Sequence, residues 1–272
     1  MKKVLFASTA LVMTAGVAAA EIAVTGGANM GIKYDGATDS TTVDNEIDFN
    51  IVGSGETDSG VSFGASVDLD ADASNETFTT GGGASDPEVF VAYNGLKLTV
   101  GGVDGATDRG GLGDPGYDGI GIDNVAEVVS HGSHNVRVDY AFGDIAVAAS
   151  VGSDSDDWAI GATASFDAFT VHVGAGEAGG LDQMNLTLGY SAGAFGVKAY
   201  IGDNDSTQGY GVEASYTTGD VTLMGVYADS DTASEAAFGV GVAYDLGGAT
   251  LAGGVGSVAG ETVADLGISF SF

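Results

Sequence analysis

Residues 237–272 read AFGVGVAYDLGGATLAGGVGSVAGETVADLGISFSF. Phe238, Val240, Val242, Tyr244 and Leu246 occupy alternate positions, opposite Gly239, Gly241, Ala243 and Asp245. Gly247-Gly248 then supplies a tight turn. The closing stretch alternates again, through Leu266, Ile268, Phe270 and Phe272. Soluble domains usually end on polar, frayed residues, whereas this alternation runs to the last residue. A period of two places successive side chains on opposite faces of a strand. The segment therefore reads as strands with one apolar face and one small or polar face.

The same period recurs along the chain. In VSFGASVDLD (61–70), Val61, Phe63, Ala65, Val67 and Leu69 oppose Ser62, Gly64, Ser66, Asp68 and Asp70. In MNLTLGY (184–190), Met184, Leu186, Leu188 and Tyr190 oppose Asn185, Thr187 and Gly189. Read throughout, the pattern predicts sixteen strands: 22–34, 43–54, 60–70, 87–94, 96–102, 134–142, 145–151, 158–166, 169–174, 183–191, 194–201, 209–217, 220–228, 236–245, 249–258 and 262–272. Every second connection is tight and rich in Gly, Asn or Asp, as hairpins with positive φ require. The others, at 35–42, 71–86, 103–133, 152–157, 175–182, 202–208, 229–235 and 259–261, are mostly longer and acidic. An even strand count, two unlike ends and both termini at the tight-turn end fit an all-β fold, a transmembrane antiparallel up-and-down β-barrel of 16 strands. Closure satisfies every backbone group in lipid and leaves no edge. A soluble β-sandwich alternates as well, but it needs no consistent long/short asymmetry.

Met1–Ala20, MKKVLFASTALVMTAGVAAA, has a basic start at Lys2-Lys3, an apolar stretch and a small-residue end. It reads as a signal peptide cleaved between Ala20 and Glu21, with 21–272 as one barrel domain. Cleavage leaves five basic residues against 38 acidic ones, formally −33. So acidic a chain has almost nothing with which to neutralise phosphates, which excludes nucleic acid as a partner. The chain has no cysteine, so disulfides play no part. After Ala20, no stretch approaches 18 consecutive apolar residues, the length of a membrane helix.

The opening MKKVLFASTALVMTAGVAAAEIAVTG, a long glycine- and aspartate-rich third outer loop and the final GISFSF together resemble the sixteen-stranded general porins of alphaproteobacterial outer membranes. The resemblance covers the layout of the chain after Ala20, and detailed similarity is confined to its ends. It implies a homotrimer set in outer-membrane lipid and lipopolysaccharide, a water-filled pore in each subunit, and non-specific diffusion of small hydrophilic solutes. It also implies that the terminal alternation Leu266, Ile268, Phe270, Phe272 is read by the outer-membrane assembly machinery, and that the last strand pairs with the first. The chain is shorter than is usual for the family, which implies trimmed outer loops.

If the large apolar residues face lipid, the opposite parity lines the pore. Lys33, Lys97, Arg137 and Lys198 all fall on that parity, as do Glu46, Asp48, Asp68, Glu88, Asp139, Glu213, Asp245 and Asp265. Arg or Lys on the lipid face near mid-membrane costs about 2–4 kcal/mol, so this placement is expected of any barrel. The fifth basic residue, Arg109, lies in VDGATDRGGLGDPGYDGIGIDNVAEVVSHGSH (103–134). A structureless connection of that length usually has a function, and its glycines permit a tight path. In the family such a loop folds into the barrel and narrows it. By that resemblance Asp104, Asp108, Arg109, Asp114, Asp118 and Asp123 would form the constriction, facing the basic wall. Family constrictions usually set a dense basic cluster against the acidic loop. Here the wall bases are few and spread among more acids, which predicts a negative pore potential and cation selectivity.

Acidic clusters at 68–72, 154–157, 203–206 and 229–231 are read as solvated outer-loop carboxylates, with weak calcium binding as the alternative, since none has EF-hand spacing. His131 and His134 have no identifiable third metal ligand, and His172 reads as a pore-lining polar group. No nucleophile-elbow or phosphate-loop pattern is present, so neither an enzyme nor a nucleotide-binding protein is expected. Tyr34, Tyr93, Phe142, Trp158, Phe166, Phe169, Tyr190, Phe195, Tyr216, Tyr227, Phe270 and Phe272 sit at strand ends, as in interfacial girdles. The rival functions are a substrate-selective outer-membrane channel and, in another class, an acidic surface protein such as an adhesin.

Overall fold

A computed structural model describes residues 21–72, 87–130, 132 and 134–272. Residues 1–20, most of the connection expected at 71–86, His131 and Ser133 lie outside the described residues. Sixteen strands follow in order: β1 Glu21–Asp35, β2 Ser40–Glu56, β3 Ser62–Asp72, β4 Glu88–Tyr93, β5 Leu96–Val103, β6 His134–Phe142, β7 Ile145–Val151 and β8 Trp158–Phe166. Then come β9 Phe169–Ala178, β10 Leu181–Ala192, β11 Phe195–Asp203, β12 Gln208–Thr218, β13 Val221–Ser230, β14 Ala237–Asp245, β15 Ala249–Val258 and β16 Glu261–Ser271. Each strand pairs antiparallel with the next, and β16 pairs with β1 to close the barrel. No described helix is long and apolar enough to cross a membrane; the strands would cross instead.

The outer surface is apolar. Ile32, Leu98, Ile160, Leu188, Val212, Val240 and Leu266 are all roughly half exposed, as suits a wall facing lipid and not water. Large apolar residues do not all face outward. Tyr200 and Val226 are buried on the inner side, packed with Met224 and Val263 against the loop described below.

The connections also depart from expectation. The one read as long at 175–182 is a two-residue turn, Gly179-Gly180, because β9 and β10 run further than their apolar alternation suggests. Both glycines have positive φ, 59° and 81°, the backbone that tight two-residue hairpins need. The cluster at 68–72 lies within β3, where Asp68 and Asp70 pair with Asn50 and Asp48 of β2. It is a wall feature and not part of an outer loop.

Between Val100 and Val103 the register of β5 against β6 shifts by one residue. The chain turns inward there: Val103 is buried, and residues 104–130 run inside the barrel.

Candidate functional site: a strap lining the lumen

The segment 104–130 is a strap that follows the inner wall strand by strand. The Ala106 N–H donates to Ser150 Oγ of β7 (2.8 Å). Asn185 of β10 donates to the Thr107 carbonyl (2.9 Å), and Lys198 of β11 to that of Gly111 (2.7 Å). The Gly113 N–H donates to Glu213 of β12 (2.7 Å). The Tyr117 and Asp118 N–H groups donate to Asp265 of β16 (3.0 and 3.3 Å). Asp118 ends the run in an ion pair with Lys33 of β1. The strap then doubles back through Ile120, Ile122 and Ala126 along β14 to β12.

Inward-facing glycines make the bed for this path. A Cβ on Gly241 would come within 2.9 Å of Pro115, and one on Gly254 equally close. Cβ atoms on Gly239 and Gly256 would crowd Ile122, at 3.1 and 3.0 Å. On this bed Leu112, Ile120, Ile122 and Ala126 join Tyr200, Val226, Ala228 and Ala237 in a small apolar core inside the barrel. Burying a side chain such as Ile122 is worth about 1.5–3 kcal/mol, and a hydrogen bond to a carboxylate about 1.5–3 kcal/mol. Half-exposed ion pairs add at most about 1 kcal/mol each. Apolar packing and carboxylate–amide bonds therefore hold the strap, and its ion pairs add little.

The wall of β3–β5 bounds the open lumen, between the strap's contact with Asp44 of β2 on one side and with Asp139 of β6 on the other. Glu46 accepts a hydrogen bond from Asn29 (3.0 Å), and Asp48 lies across from Asp70. Next to them a cavity of about 460 Å³ is lined by Glu88, Lys97, Asp104, Asp108, Arg109, Arg137 and Asp139, with Thr99 and Val103. Asp139 is its hub: Arg109 of the strap reaches it at 2.6 Å and Arg137 at 3.0 Å, and Lys97 is its cross-strand partner. Arg137 also donates to the Asp104 carbonyl (2.9 Å). Lys97 lies over the inward Phe90 ring, 4.8 Å from its centroid.

The residues expected to form the constriction thus separate into two groups. Asp104, Asp108 and Arg109 face the cavity. Asp118 reaches Lys33, which also pairs with Asp44 (2.9 Å). Asp114 instead turns into the strap and accepts the N–H groups of Gly121 and Ile122. Burial, together with nearby Asp123, raises its pKa to about 6 despite those bonds. Asp123 accepts from the Asn124 N–H (2.8 Å) at the start of a short 3-10 turn, Asp123–Val125. On the wall, Lys198 pairs with Glu213 (3.1 Å), and Glu213 and Asp265 act as strap anchors. Asp245 caps the turn at Gly247 (2.7 Å).

His172 is buried under the strap, its Nδ1 3.0 Å from Thr163. His134 Nδ1 lies 2.7 Å from Ser150 Oγ, but that hydroxyl is buried and bonded to the strap, so it is an anchor and not an exposed nucleophile. Several rim carboxylates serve local bonds: Asp157 accepts from the Gly179 N–H, Asp203 from Gln208, and Asp229 from the Tyr210 and Tyr227 hydroxyls. Among the described residues, no three imidazole or carboxylate groups converge to hold a metal.

A closed sixteen-strand barrel, apolar outside and charged inside, with its lumen narrowed by its own strap, is a membrane channel. Residues 7–268 match the family model described as Gram-negative porin, and the chain belongs to that family. It is 29% identical over 296 residues to the porin of Fuscovulum blasticum, which covers 93% of this chain and 100% of that protein. It is 27% identical over 309 residues to the porin of Rhodobacter capsulatus, with the same coverage. Solved structures of engineered Rh. blastica porins superpose with a TM-score of 0.81, at 25% and 26% identity, over 92% of this chain and 100% of theirs. Fold and family together make this an outer-membrane diffusion porin.

Proposed function

We propose that this porin is a cation-selective general pore whose bore is set between the strap edge at Asp104, Asp108, Arg109 and Asp118 and the facing wall of β2–β6. One observation carries the reading. β2 and β3 carry no basic residue, yet they turn Glu46, Asp48, Asp68 and Asp70 into the lumen. At the neighbouring cavity, Lys97, Arg109 and Arg137 meet four carboxylates, those of Glu88, Asp104, Asp108 and Asp139. The balance of charge along the passage is negative, and a narrow low-dielectric pore focuses it. The test is the reversal potential of reconstituted channels under a salt gradient. A cation-selective sign is expected, and an anion-selective one overturns the reading. Passage is passive, without catalysis.

The proposal extends to a homotrimer assembled after cleavage between Ala20 and Glu21. At the long-loop end the outward aromatics are Tyr34, Trp158, Tyr210, Tyr227 and Phe238; among the described residues, β2–β7 have none there. Interfacial aromatics anchor a wall to lipid headgroups, so a wall without them at that rim suits contact with another subunit. Cross-linking in the unheated protein should give a three-subunit species.

A further inference from the structure

The strap makes its turn against the one strand pair that closes the barrel. Gly31 of β1 and Gly267 of β16 are direct cross-strand partners. The Tyr117 ring lies across both: a Cβ on either glycine would come within 2.6 Å of it. The ring is buried, and its hydroxyl donates to Asp44 of β2 (3.1 Å). Burial and the Asp44 carboxylate push that hydroxyl's pKa up, so it remains a donor.

A circuit of polar contacts surrounds the ring. Asp265 of β16 accepts from the Tyr117 and Asp118 N–H groups with one oxygen, and from Gly254 of β15 (2.8 Å) with the other. Asp118 pairs with Lys33 of β1, Lys33 pairs with Asp44, and Asp44 returns to the Tyr117 hydroxyl. The circuit joins β15, β16, β1 and β2, the two strands on either side of the closure. Gly116 lies at φ 123°, and any side chain there would strike the Asp265 carboxylate, so the approach is built for backbone.

We propose that the strap tip is a lock on the closing seam. Tyr117 and its circuit hold β16 against β1 from inside, so constriction and barrel closure stabilise each other. The strap then has a second function beside setting the bore. Its docking surface exists only once first and last strands have met, so the narrow pore forms only in a closed barrel.

Hydrogen exchange on the reconstituted full chain tests this, comparing Tyr117→Ala with Glu213→Gln, which loosens the strap at β12, away from the seam. Tyr117→Ala should speed exchange at the paired amides of β1 and β16 by about tenfold or more, the size expected of a local opening. Glu213→Gln should leave those amides unchanged. Equal seam protection in Tyr117→Ala and the parent overturns the proposal, whatever happens to conductance. If Tyr117→Ala does not assemble, Tyr117→Phe keeps the ring on its glycines. Assembly of that variant with a protected seam supports the lock. Equal failure of Tyr117→Ala and Glu213→Gln to assemble assigns the strap a general folding role and overturns it.

Discussion

Phe272 and Gly26 exchange both backbone hydrogen bonds: the Gly26 N–H donates to the Phe272 carbonyl (2.8 Å) and the Phe272 N–H to that of Gly26 (2.9 Å). The Phe272 ring lies over Gly26, where a Cβ would come within 2.6 Å of it, and meets Phe49 edge-on with centroids 5.6 Å apart. The last residue of the sequence is thus fastened to the first strand. On the outer face of the seam an aromatic ring sits on a glycine, as Tyr117 does on the inner face.

Deleting Phe272 removes two backbone hydrogen bonds and two aromatic contacts, with Phe49 and Phe270, a loss of about 2–6 kcal/mol at the seam. The yield of heat-modifiable barrel should fall, while barrels that do assemble keep the parent's conductance, because the ring faces away from the lumen. Gly26→Val should act in the same direction by displacing the ring. Normal yield from the truncated chain would show that this contact is dispensable for assembly.

The alternation made the barrel legible, since period two survives wherever one face meets lipid. It also placed Lys33, Lys97, Arg137 and Lys198 inside. The bed of glycines was not legible. Gly239 and Gly241 read only as small residues opposite the apolar face, and Gly254 and Gly256 carry no signal of their own, because what these glycines accommodate is Pro115 and Ile122, more than a hundred residues away in sequence. Tyr117, Ile120 and Ile122 are illegible for the same reason: in a loop of glycine and aspartate, apolar residues have no periodic partner until the far wall is known. Nor did parity separate wall acids that bind the strap, Glu213 and Asp265, from Asp48 and Asp70, which pair across β2 and β3. That distinction depends on where backbone N–H groups of another segment arrive.

Asp48 and Asp70 face one another across β2 and β3, on a wall without basic residues. Replacing both by asparagine keeps the shape and removes two negative charges from the passage. The cation-to-anion permeability ratio should fall by roughly a factor of two or more, with bore and heat stability nearly unchanged. The salt-gradient reversal potential measures the first, and the size cut-off for sugars in liposome swelling measures the second. An unmoved reversal potential would remove these two carboxylates from the selectivity argument.

Gly241→Val places a branched side chain where Pro115 packs, beginning with a Cβ 2.9 Å from the proline. Overpacking of this kind costs about 1–3 kcal/mol. The wall strand is held on both sides by ladder bonds to β13 and β15, so the strap should yield first. Single-channel conductance and current noise should both rise while the barrel still migrates as a folded species. Conductance equal to the parent's would mean that the strap can move over β14 without changing the bore.

Asp114 gives the strap a pH dependence whose sign follows from its environment. Burial and the neighbouring Asp123 raise its pKa from 3.8 to about 6, against the lowering effect of the Gly121 and Ile122 N–H bonds. A carboxyl whose folded pKa lies above its unfolded value favours the protonated folded state. Its contribution to stability is therefore complete below the ordinary value and is lost as pH rises through the interval from about 4 to about 6. Asp114→Asn imitates the protonated form. Relative to the parent, it should protect the strap from proteolysis at pH 7.5, and the advantage should disappear by pH 4, where the parent carboxyl is itself protonated. Faster cleavage of the asparagine variant at pH 7.5 would show that the charged carboxylate's bonds to Gly121 and Ile122 outweigh its burial, and would reverse the predicted sign.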